Sequence, residues 1–456
     1  MSVEAIQLRN FRGFKEVSLQ LKPLTVLLGP NSSGKSSFGH ALAAAAHCQR
    51  RDAGSQRPTL TPVNDSDEWP VDLGTLQTLR TEGESGRAYI GLQTQSGFVE
   101  MGFGDLESEP SSLILSYLSH PFSVSSDRSD VMTIDNAPVS KNITVTRDKH
   151  NESTWWDEAT QQQAAVVLDG LLVRSMQHFS ATYFRPGKVQ EELRHSLANL
   201  SYLRGTRKRP ARGYEVRTGR WQPIGYAGEW TPTMLHGRKT DPVSYRNPPP
   251  VPTRVDQAKE FLDQSWKPDS RELSQAVAFW LVQLGLAEAI ETVLSDDKQF
   301  VRVLVTLPGQ RPHNLSDVGF GVSQVLPVLT AGLMQAPGSL FVVDLPEAHL
   351  HPAPQARLAD FFCSMALSGQ NVLVETHSEM LFNWLRLRAE QNEELSKQIA
   401  VYFIDRPSRD GRCAKPELVG LTGNAQLRWP VGFFEEAWDI ESRTKMIRDA
   451  RSFTAK

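Results

Sequence analysis

The sequence has few cysteines and almost no net charge, and each of these absences removes a class of protein. Cys48, Cys363 and Cys413 are the only cysteines among 456 residues, and none lies in a CxxC or histidine-bracketed spacing. We therefore expect neither a disulfide framework nor a structural zinc site. A net charge of −3, from 49 Lys and Arg against 52 Asp and Glu, argues against a uniformly basic binder or an acidic tail. A local basic patch is still compatible with this balance.

The sequence also lacks a long, uninterrupted apolar run. The most apolar stretch, residues 318–336, contains polar side chains and Pro327, so it is predicted to be a buried helix rather than a membrane span. Glu4 and Arg9 precede any apolar run, so no signal peptide is predicted. With 39% hydrophobic residues, the chain can bury a sizeable core. We expect a cytoplasmic protein without a membrane partner.

The clearest motif follows a short apolar run at residues 24–28. Residues 29–36 fit the pattern G-x-x-x-x-G-K-[ST] and precede a helix-forming segment, which is the context that a phosphate-binding loop requires. In such loops backbone N–H groups and a helix N-terminus face the phosphates. Lys35 is expected to reach the β- and γ-phosphates of ATP, and Ser36 is expected to bind Mg²⁺. The predicted nucleotide-binding residues are Gly29, Pro30, Asn31, Ser32, Ser33, Gly34, Lys35, Ser36 and Ser37.

A second group of motifs lies in residues 315–378. Residues 340–344 form an apolar run that ends in Asp344, the layout of a Walker B aspartate that holds Mg²⁺ through water. A Ser/Gly turn that suits anion contact precedes it, and a predicted strand before His377 follows it. Each motif alone has an ordinary structural explanation. Their order favours one nucleotide site divided between the two ends of the chain.

These motifs and their order resemble the ABC-type ATPases related to SMC, RecF and OLD (overcoming lysogenization defect) proteins. The most characteristic segments are NFRGF at residues 10–14, PEAHLHP at residues 346–352 and ETHS at residues 375–378. Residues 203–235, 318–329 and 429–434 resemble a bacterial subgroup of stand-alone OLD-like ATPases that lack a TOPRIM nuclease domain. Members of this subgroup often accompany a nuclease or other effector in anti-phage defence modules of the Septu or retron kind.

The resemblance implies an α/β fold, with an ABC-type ATPase head and a long lobe inserted between the Walker A and signature motifs. ATP would lie between two heads, with the signature of one facing the P-loop of the other, so at least a homodimer is implied. His377 would sense the γ-phosphate, and Gln77 would be the Q-loop residue at Mg²⁺, although a solvated loop glutamine is an equal alternative. The signature residues that act in trans would be Ser316, Gly319, Gly321 and Ser323.

The implied division of the chain has three parts. Residues 1–104 would form the N-terminal lobe of the head, residues 105–255 the inserted α/β lobe, and residues 256–456 the C-terminal lobe with the signature, Walker B and switch histidine. Within the inserted lobe, residues 161–175 are predicted to be helical.

One residue departs from the family pattern. The family places a glutamate directly after the Walker B acid to activate water, whereas this chain has Leu345, which cannot take a proton. Glu347 is the candidate to replace it, with slow or partner-stimulated hydrolysis as the result. The alternative is an ATP-bound switch or scaffold that hydrolyses little.

A basic segment lies at residues 204–220, where seven Lys and Arg residues stand against one acid, with aromatic residues interleaved. This mixture suits contact with DNA or RNA. The alternative is a solvated loop whose arginines meet acids of the same protein or contact ATP. The candidate nucleic-acid residues are Arg204, Arg207, Lys208, Arg209 and Arg212.

Three functions compete at this point. The first is an ATP-dependent sensor or regulatory subunit that dimerises on nucleotide and controls an effector protein such as a nuclease. The second is a DNA-binding OLD-like ATPase in DNA repair or nuclease action. The segment after His377 has no clear glutamate-then-DxD arrangement, which disfavours an intrinsic nuclease. The third is the ATPase subunit of a membrane transporter. It is disfavoured because this sequence lacks the LSGGQ signature motif.

Overall fold

The structure is a computed structural model, and it describes most of the two ends of the chain and parts of the middle. The described residues are 3–51, 73, 76–106, 109–123, 133–134, 137–138, 142–147, 154–157, 162–169, 172–178, 183–186, 188–216, 224–252, 258–406 and 415–421. Residues 217–220 of the basic segment and residues 429–434, which contributed to the family resemblance, lie outside this part of the chain.

Strands dominate the first half of the described chain. They are β1 (Ala5–Phe11), β2 (Phe14–Gln20), β3 (Leu24–Leu28), β4 (Ala88–Thr94), β5 (Gly97–Leu106), β6 (Glu109–Ser123), β7 (Thr133–Ile134), β8 (Ala137–Pro138), β9 (Asn142–Arg147), β10 (Thr154–Asp157), β11 (Gln162–Asp169), β12 (Leu172–His178) and β13 (Tyr183–Pro186).

Strands of the second half alternate with helices. They are β14 (Ser201–Leu203), β15 (Tyr214–Glu215), β16 (Pro242–Asn247), β17 (Lys267–Glu272), β18 (Ala289–Leu294), β19 (Phe300–Thr306), β20 (Pro312–Asn314), β21 (Leu340–Asp344), β22 (Asn371–Glu375), β23 (Ile399–Phe403) and β24 (Glu417–Val419).

The described helices are concentrated in the second half of the chain. They are α1 (Ser36–Arg51), α2 (Leu76–Leu79), α3 (Lys188–Ala198), α4 (Thr231–Gly237), α5 (Ala258–Asp263), α6 (Leu273–Gln283), α7 (Phe320–Leu333), α8 (Pro352–Leu367), α9 (Glu379–Gln391) and α10 (Glu393–Gln398), with a short 3-10 helix at Leu315–Asp317. Among the described residues, no helix is long and apolar enough to cross a membrane.

A six-stranded sheet in the order β14-β21-β22-β3-β23-β24 brings the two ends of the chain together. Its first five strands are parallel, and β24 is antiparallel to β23. Every residue of β3, β21 and β22 is buried, as expected for parallel strands that are covered on both faces. Because parallel strands end at the same edge, the loop after β3 and the acid that ends β21 share one site. The predicted α/β fold with a divided head is confirmed.

The alternation of side chains along these strands separates two hydrophobic cores. On one face, Leu27 and Val342 pack with the β1–β2 hairpin and the helices α1 and α3. On the other face, Val26 and Val343 pack with α6, α7, α8 and α9. This alternation follows the two-residue period of a strand. The central sheet is therefore the middle layer of the head.

A ten-stranded antiparallel sheet in the order β13-β12-β11-β10-β9-β6-β5-β4-β1-β2 covers the α1 side, and β13 also pairs with β6. Strands β5 and β6 pair across the predicted boundary at residue 104. Strand β14, within the predicted inserted lobe, joins the central sheet. The sheets thus cross the boundaries of the three-part division, which stays a prediction.

The helix predicted for residues 161–175 is wrong, because the structure has strands β11 and β12 there. The stretch contains a short apolar run with the β-branched residues Val166 and Val167. Such residues lose side-chain freedom in helices and favour strands, and short apolar runs do not distinguish the two by periodicity. Strand β11 pairs with β10 and β12, and β12 also pairs with β13, so both segments form strands of the ten-stranded sheet.

Candidate functional site

Strand β3 leads into a loop whose backbone conformation requires glycine. Gly29, Ser32 and Gly34 have positive φ angles of 146°, 62° and 98°. A Cβ on Gly29 would also overlap the carbonyl oxygen of Ile404, just after β23. The loop then enters α1, so its backbone N–H groups lie at a helix N-terminus, where anions are favoured. The positive φ angles therefore explain why the motif has glycine at positions 29 and 34.

Lys35 folds back over this loop. Its Nζ donates to the carbonyl oxygens of Gly29 at 3.0 Å and Pro30 at 2.6 Å, and the residue is only 3% exposed. Burial lowers the pKa of Lys35, and the nearby carboxylates of Glu375 and Glu347 oppose that shift. A buried ammonium at a helix N-terminus is suited to bind phosphate oxygens.

Three buried carboxylates meet at the same edge of the sheet. Asp344 ends β21 and Glu375 ends β22, and they lie directly opposite each other in the parallel register. Glu347 follows β21, and its Oε1 accepts a hydrogen bond from the backbone N–H of His377 at 2.8 Å. Burial, the Asp344 carboxylate and more weakly Glu347 raise the pKa of Glu375 to about 7. Burial likewise raises the pKa of Glu347.

The donor set at this edge fits a Mg²⁺ ion. The Ser36 hydroxyl donates to Glu375 Oε1 at 2.7 Å, close to Asp344. The buried Oε2 atoms of Glu375 and Glu347 have no hydrogen-bond partner. Hydroxyl and carboxylate oxygens are the ligands that Mg²⁺ prefers, and a cation would relieve the repulsion among the acids. Binding of Mg²⁺ by Ser36 and Asp344 stays a prediction.

Asp344 is held in place by a side chain from the neighbouring strand. Tyr202, on β14, donates its hydroxyl to Asp344 Oδ2 at 2.5 Å. On the other side His40 Nε2 lies 3.7 Å from the same oxygen, and His40 Nδ1 is 2.9 Å from Arg12 Nη1. Burial, followed by the Asp344 charge, raises the pKa of Tyr202 well above its ordinary value, so the phenol stays a donor. Nothing local in the sequence around Tyr202 or His40 indicates these contacts.

Arg207 does not fit its prediction as a nucleic-acid residue. It is 5% exposed, and its guanidinium donates to the carbonyl oxygens of Asp344 at 2.8 Å and Leu345 at 3.1 Å and 3.2 Å. Burial lowers its pKa to about 10, so it stays charged at neutral pH. Arg207 is a buried anchor of the Walker B turn and cannot contact an external phosphate backbone.

The other basic candidates lie in different surroundings. Arg204 and Arg209, like Arg207, line the cavity that also contains Ser36 and Asp344. Arg212 is exposed and forms two hydrogen bonds with Asp317, at 2.8 Å and 3.1 Å. Lys208 is also exposed. The segment is thus divided between the nucleotide site and the protein surface, and nucleic-acid binding by the exposed residues stays a prediction.

The predicted signature residues lie around the start of α7. Ser316 is in the 3-10 helix, Gly319 and Gly321 flank the first residue of α7, and the Ser323 hydroxyl donates to the Phe320 carbonyl at 2.8 Å. The predicted four do not line the cavity, whereas two other residues of α7, Phe320 and Gln324, do. Contact with the ATP of a partner subunit stays a prediction.

Two further predicted residues differ in position. Gln77 lies on α2 with an exposed side chain and does not line the cavity. His377 lies two residues after the end of β22. Burial and the Lys35 ammonium lower the pKa of His377, and a hydrogen bond with the Gly29 backbone opposes that shift. His377 is therefore close to the phosphate loop, where a γ-phosphate sensor is expected.

A cavity of about 810 Å³ opens over this cluster. Its wall includes residues from α1, β14, α7, β21 and β22, with Glu375 among them. Glu375 was not predicted to be a site residue. The sequence signal for it is a carboxylate that directly ends the apolar run of residues 372–374. A cavity of this volume accommodates a nucleotide-sized ligand.

Two family models match parts of the chain. Residues 1–64 match the family model "AAA ATPase domain", and residues 178–383 match the model "AAA domain, putative AbiEii toxin, Type IV TA system". Both matches are to ATPase domains. Together they contain the phosphate loop, Asp344 and His377, so the chain carries a divided ATPase domain. No curated protein sequence matches the chain significantly.

Solved structures similar to this chain include heads of SMC proteins. One, described as the SmcHead bound to the C-winged helix domain of ScpA, is 10% identical over 92% of this chain and 98% of its own, with a TM-score of 0.40. The SMC head domain from Thermotoga maritima is 11% identical over 93% and 100%, with a TM-score of 0.35. A Smc head with an extended coiled coil bound to the C-terminal domain of ScpA, from Pyrococcus furiosus, is 10% identical over 97% and 99%, with a TM-score of 0.41. These similarities are too weak to indicate a function.

Proposed function

We propose that the protein binds ATP with Mg²⁺ at the edge of the central sheet, hydrolyses it slowly, and uses nucleotide-dependent self-association to control a partner protein. The observation that carries the proposal is that the Lys35 ammonium, the Ser36 hydroxyl and the Asp344 carboxylate meet at one edge of the central sheet, where β3 and β21 end on either side of β22. These groups come from opposite ends of the chain, and Ser36 and Asp344 line the same cavity. Such an arrangement is typical of an ATP site.

Each group has a defined task in binding. The backbone N–H groups of the loop and the Lys35 ammonium would bind the phosphates, with Lys35 exchanging its carbonyl partners for phosphate oxygens. The Mg²⁺ ion would supply charge neutralisation for the phosphates. Tyr202 and Arg207 hold the Asp344 carboxylate and main chain in a fixed orientation. Arg204 and Arg209 add positive charge to the cavity wall.

The regulatory part of the proposal rests on the family resemblance and on the position of α7. Two ATP-bound heads would associate as a homodimer or higher oligomer, with the signature turn of each facing the other's nucleotide. The exposed Phe320, at 49%, lies at this turn and would be covered on association. The partner would be an effector such as a nuclease, in an anti-phage defence complex. We propose a cytoplasmic location, where ATP is supplied.

The test compares wild type with Lys35→Ala, and with Lys22→Ala as a matched control on the exposed surface. Calorimetry with ATP and Mg²⁺ measures binding, phosphate release measures turnover, and light scattering after size exclusion measures mass with and without ATP. We expect binding, slow turnover and a mass increase in wild type and Lys22→Ala, and none of these in Lys35→Ala.

Three results would change the proposal. Equal ATP affinity in wild type and Lys35→Ala would refute the site. Binding without turnover would favour an ATP-bound scaffold, for which Leu345 is the structural argument. ATP-independent, salt-sensitive binding of DNA would favour the nucleic-acid alternative.

A further inference from the structure

An apolar residue occupies the position directly after the acid-bearing strand β21. Leu345 lines the cavity, with a positive φ of 44°. Its side chain packs beside Gly205, where an added Cβ would come within 3.2 Å of it. Leu345 therefore forms part of the cavity wall, and no proton acceptor can come from this position. Another group has to take the proton if water is to attack ATP here.

Two carboxylates near the phosphate loop remain as candidates, and their surroundings differ. Glu347 uses Oε1 to accept the N–H of His377, and the residue does not line the cavity. Glu375 lines the cavity and contacts Ser36 through Oε1, while its buried Oε2 has no hydrogen-bond partner. The buried Oε2 of Glu347 has no hydrogen-bond partner either, so what separates the two carboxylates is that only Glu375 lines the cavity, where a water molecule would bind.

The topology also favours Glu375. Strand β22 lies between β3, which leads into the phosphate loop, and β21, which ends in Asp344. Glu375 is therefore located between the phosphate-binding and Mg²⁺-binding residues, opposite Asp344 in the register. A carboxylate at this point faces the region where the terminal phosphate of a bound nucleotide would lie.

We propose that Glu375 is the catalytic carboxylate that orients and deprotonates the attacking water, and this rests on the ATPase function proposed above. The water oxygen forms a bond to the γ-phosphorus as the bond to the bridging oxygen breaks, and that electron pair leaves with ADP. The water proton passes to the Glu375 carboxylate and is then released to solvent. The balance is ATP and water giving ADP, phosphate and one proton.

The test uses Glu375→Gln, which keeps the size of the side chain and an acceptor oxygen for Ser36 but cannot take a proton. Glu347→Gln tests the competing carboxylate, and Lys35→Ala tests the site itself. Loss of a general base costs roughly 100-fold to 10,000-fold in rate. We expect Glu375→Gln to bind ATP and Mg²⁺ with wild-type affinity, while its single-turnover phosphate release falls by about 100-fold or more.

The outcomes separate this inference from the ATPase function. Turnover in Glu375→Gln within a few-fold of wild type, or a larger loss in Glu347→Gln, would overturn the role of Glu375 and leave the ATPase function intact. Parallel loss of affinity and turnover would show that Glu375 is a binding group instead. A wild type that binds ATP without hydrolysing it would refute the catalytic role, and a wild type that binds no ATP would refute both proposals. Circular dichroism of each variant checks that it is folded.

Discussion

Replacing the buried Arg207 with methionine is expected to destabilise the protein by about 3 kcal/mol. The guanidinium makes three hydrogen bonds to the Asp344 and Leu345 carbonyls, and bonds from a charged donor contribute roughly 1.5–3 kcal/mol each. Their sum is an upper limit, because the contributions overlap and because methionine is not penalised for burying a charge. The strained φ of 44° at Leu345 would also lose its anchor.

Urea unfolding followed by tryptophan fluorescence measures this effect. With a slope near 3 kcal/mol per molar urea, the midpoint should fall by about 1 M in Arg207→Met. Lys208→Met, at the exposed neighbouring position, is the control and should change stability by less than about 0.5 kcal/mol. If the two variants unfolded at the same urea concentration, Arg207 would not be the anchor inferred from the structure.

Two further variants test other parts of the fold. Gly29→Ala should abolish ATP binding and lower the melting temperature, because the φ of 146° is unfavourable for alanine and the added Cβ would overlap the Ile404 carbonyl. Gly237→Ala is the control and should melt like wild type, because no atom lies within 4 Å of the added Cβ. Arg388→Met removes the two hydrogen bonds from the guanidinium to the buried Asp360 carboxylate, at 2.6 Å and 3.0 Å, and leaves it the bond from Trp384 Nε1. This loss of a buried partner should cost about 3–5 kcal/mol in urea unfolding. The exposed pair of Arg238 should contribute less than about 1 kcal/mol, so an equal loss in Arg238→Met would contradict the dependence on burial.

The phosphate loop and Asp344 were predictable because their signals are local. A glycine-rich loop between a buried strand and a helix is specified by a few consecutive residues, from Gly29 to Ser36. An apolar run ending in an acid likewise identifies β21. The order of these motifs was sufficient to predict one divided α/β head, since parallel strands place their ends at one edge.

The rest of the site depends on contacts between distant segments, which the sequence does not specify. Tyr202 and Arg207 approach Asp344 only because β14 pairs with β21. Arg207 looked like an exposed basic residue because five others follow it closely in the chain, and its burial depends on tertiary packing. Glu375 was overlooked because the neighbouring His377 matched a family role, whereas the register opposite Asp344 is visible only in the sheet.

The position of β3 in the central sheet has a consequence for synthesis of the protein. Both of its neighbours, β22 and β23, come from residues beyond 370, so one edge of β3 has no partner in this sheet until residue 375 has been made and the other until residue 403. At about 5–20 residues per second, the longer delay is roughly 20–75 s. During that time the most apolar strand of the N-terminal region has at least one open edge, which is prone to pair with other chains. We therefore expect the nascent protein to depend on chaperones until its C-terminal half emerges.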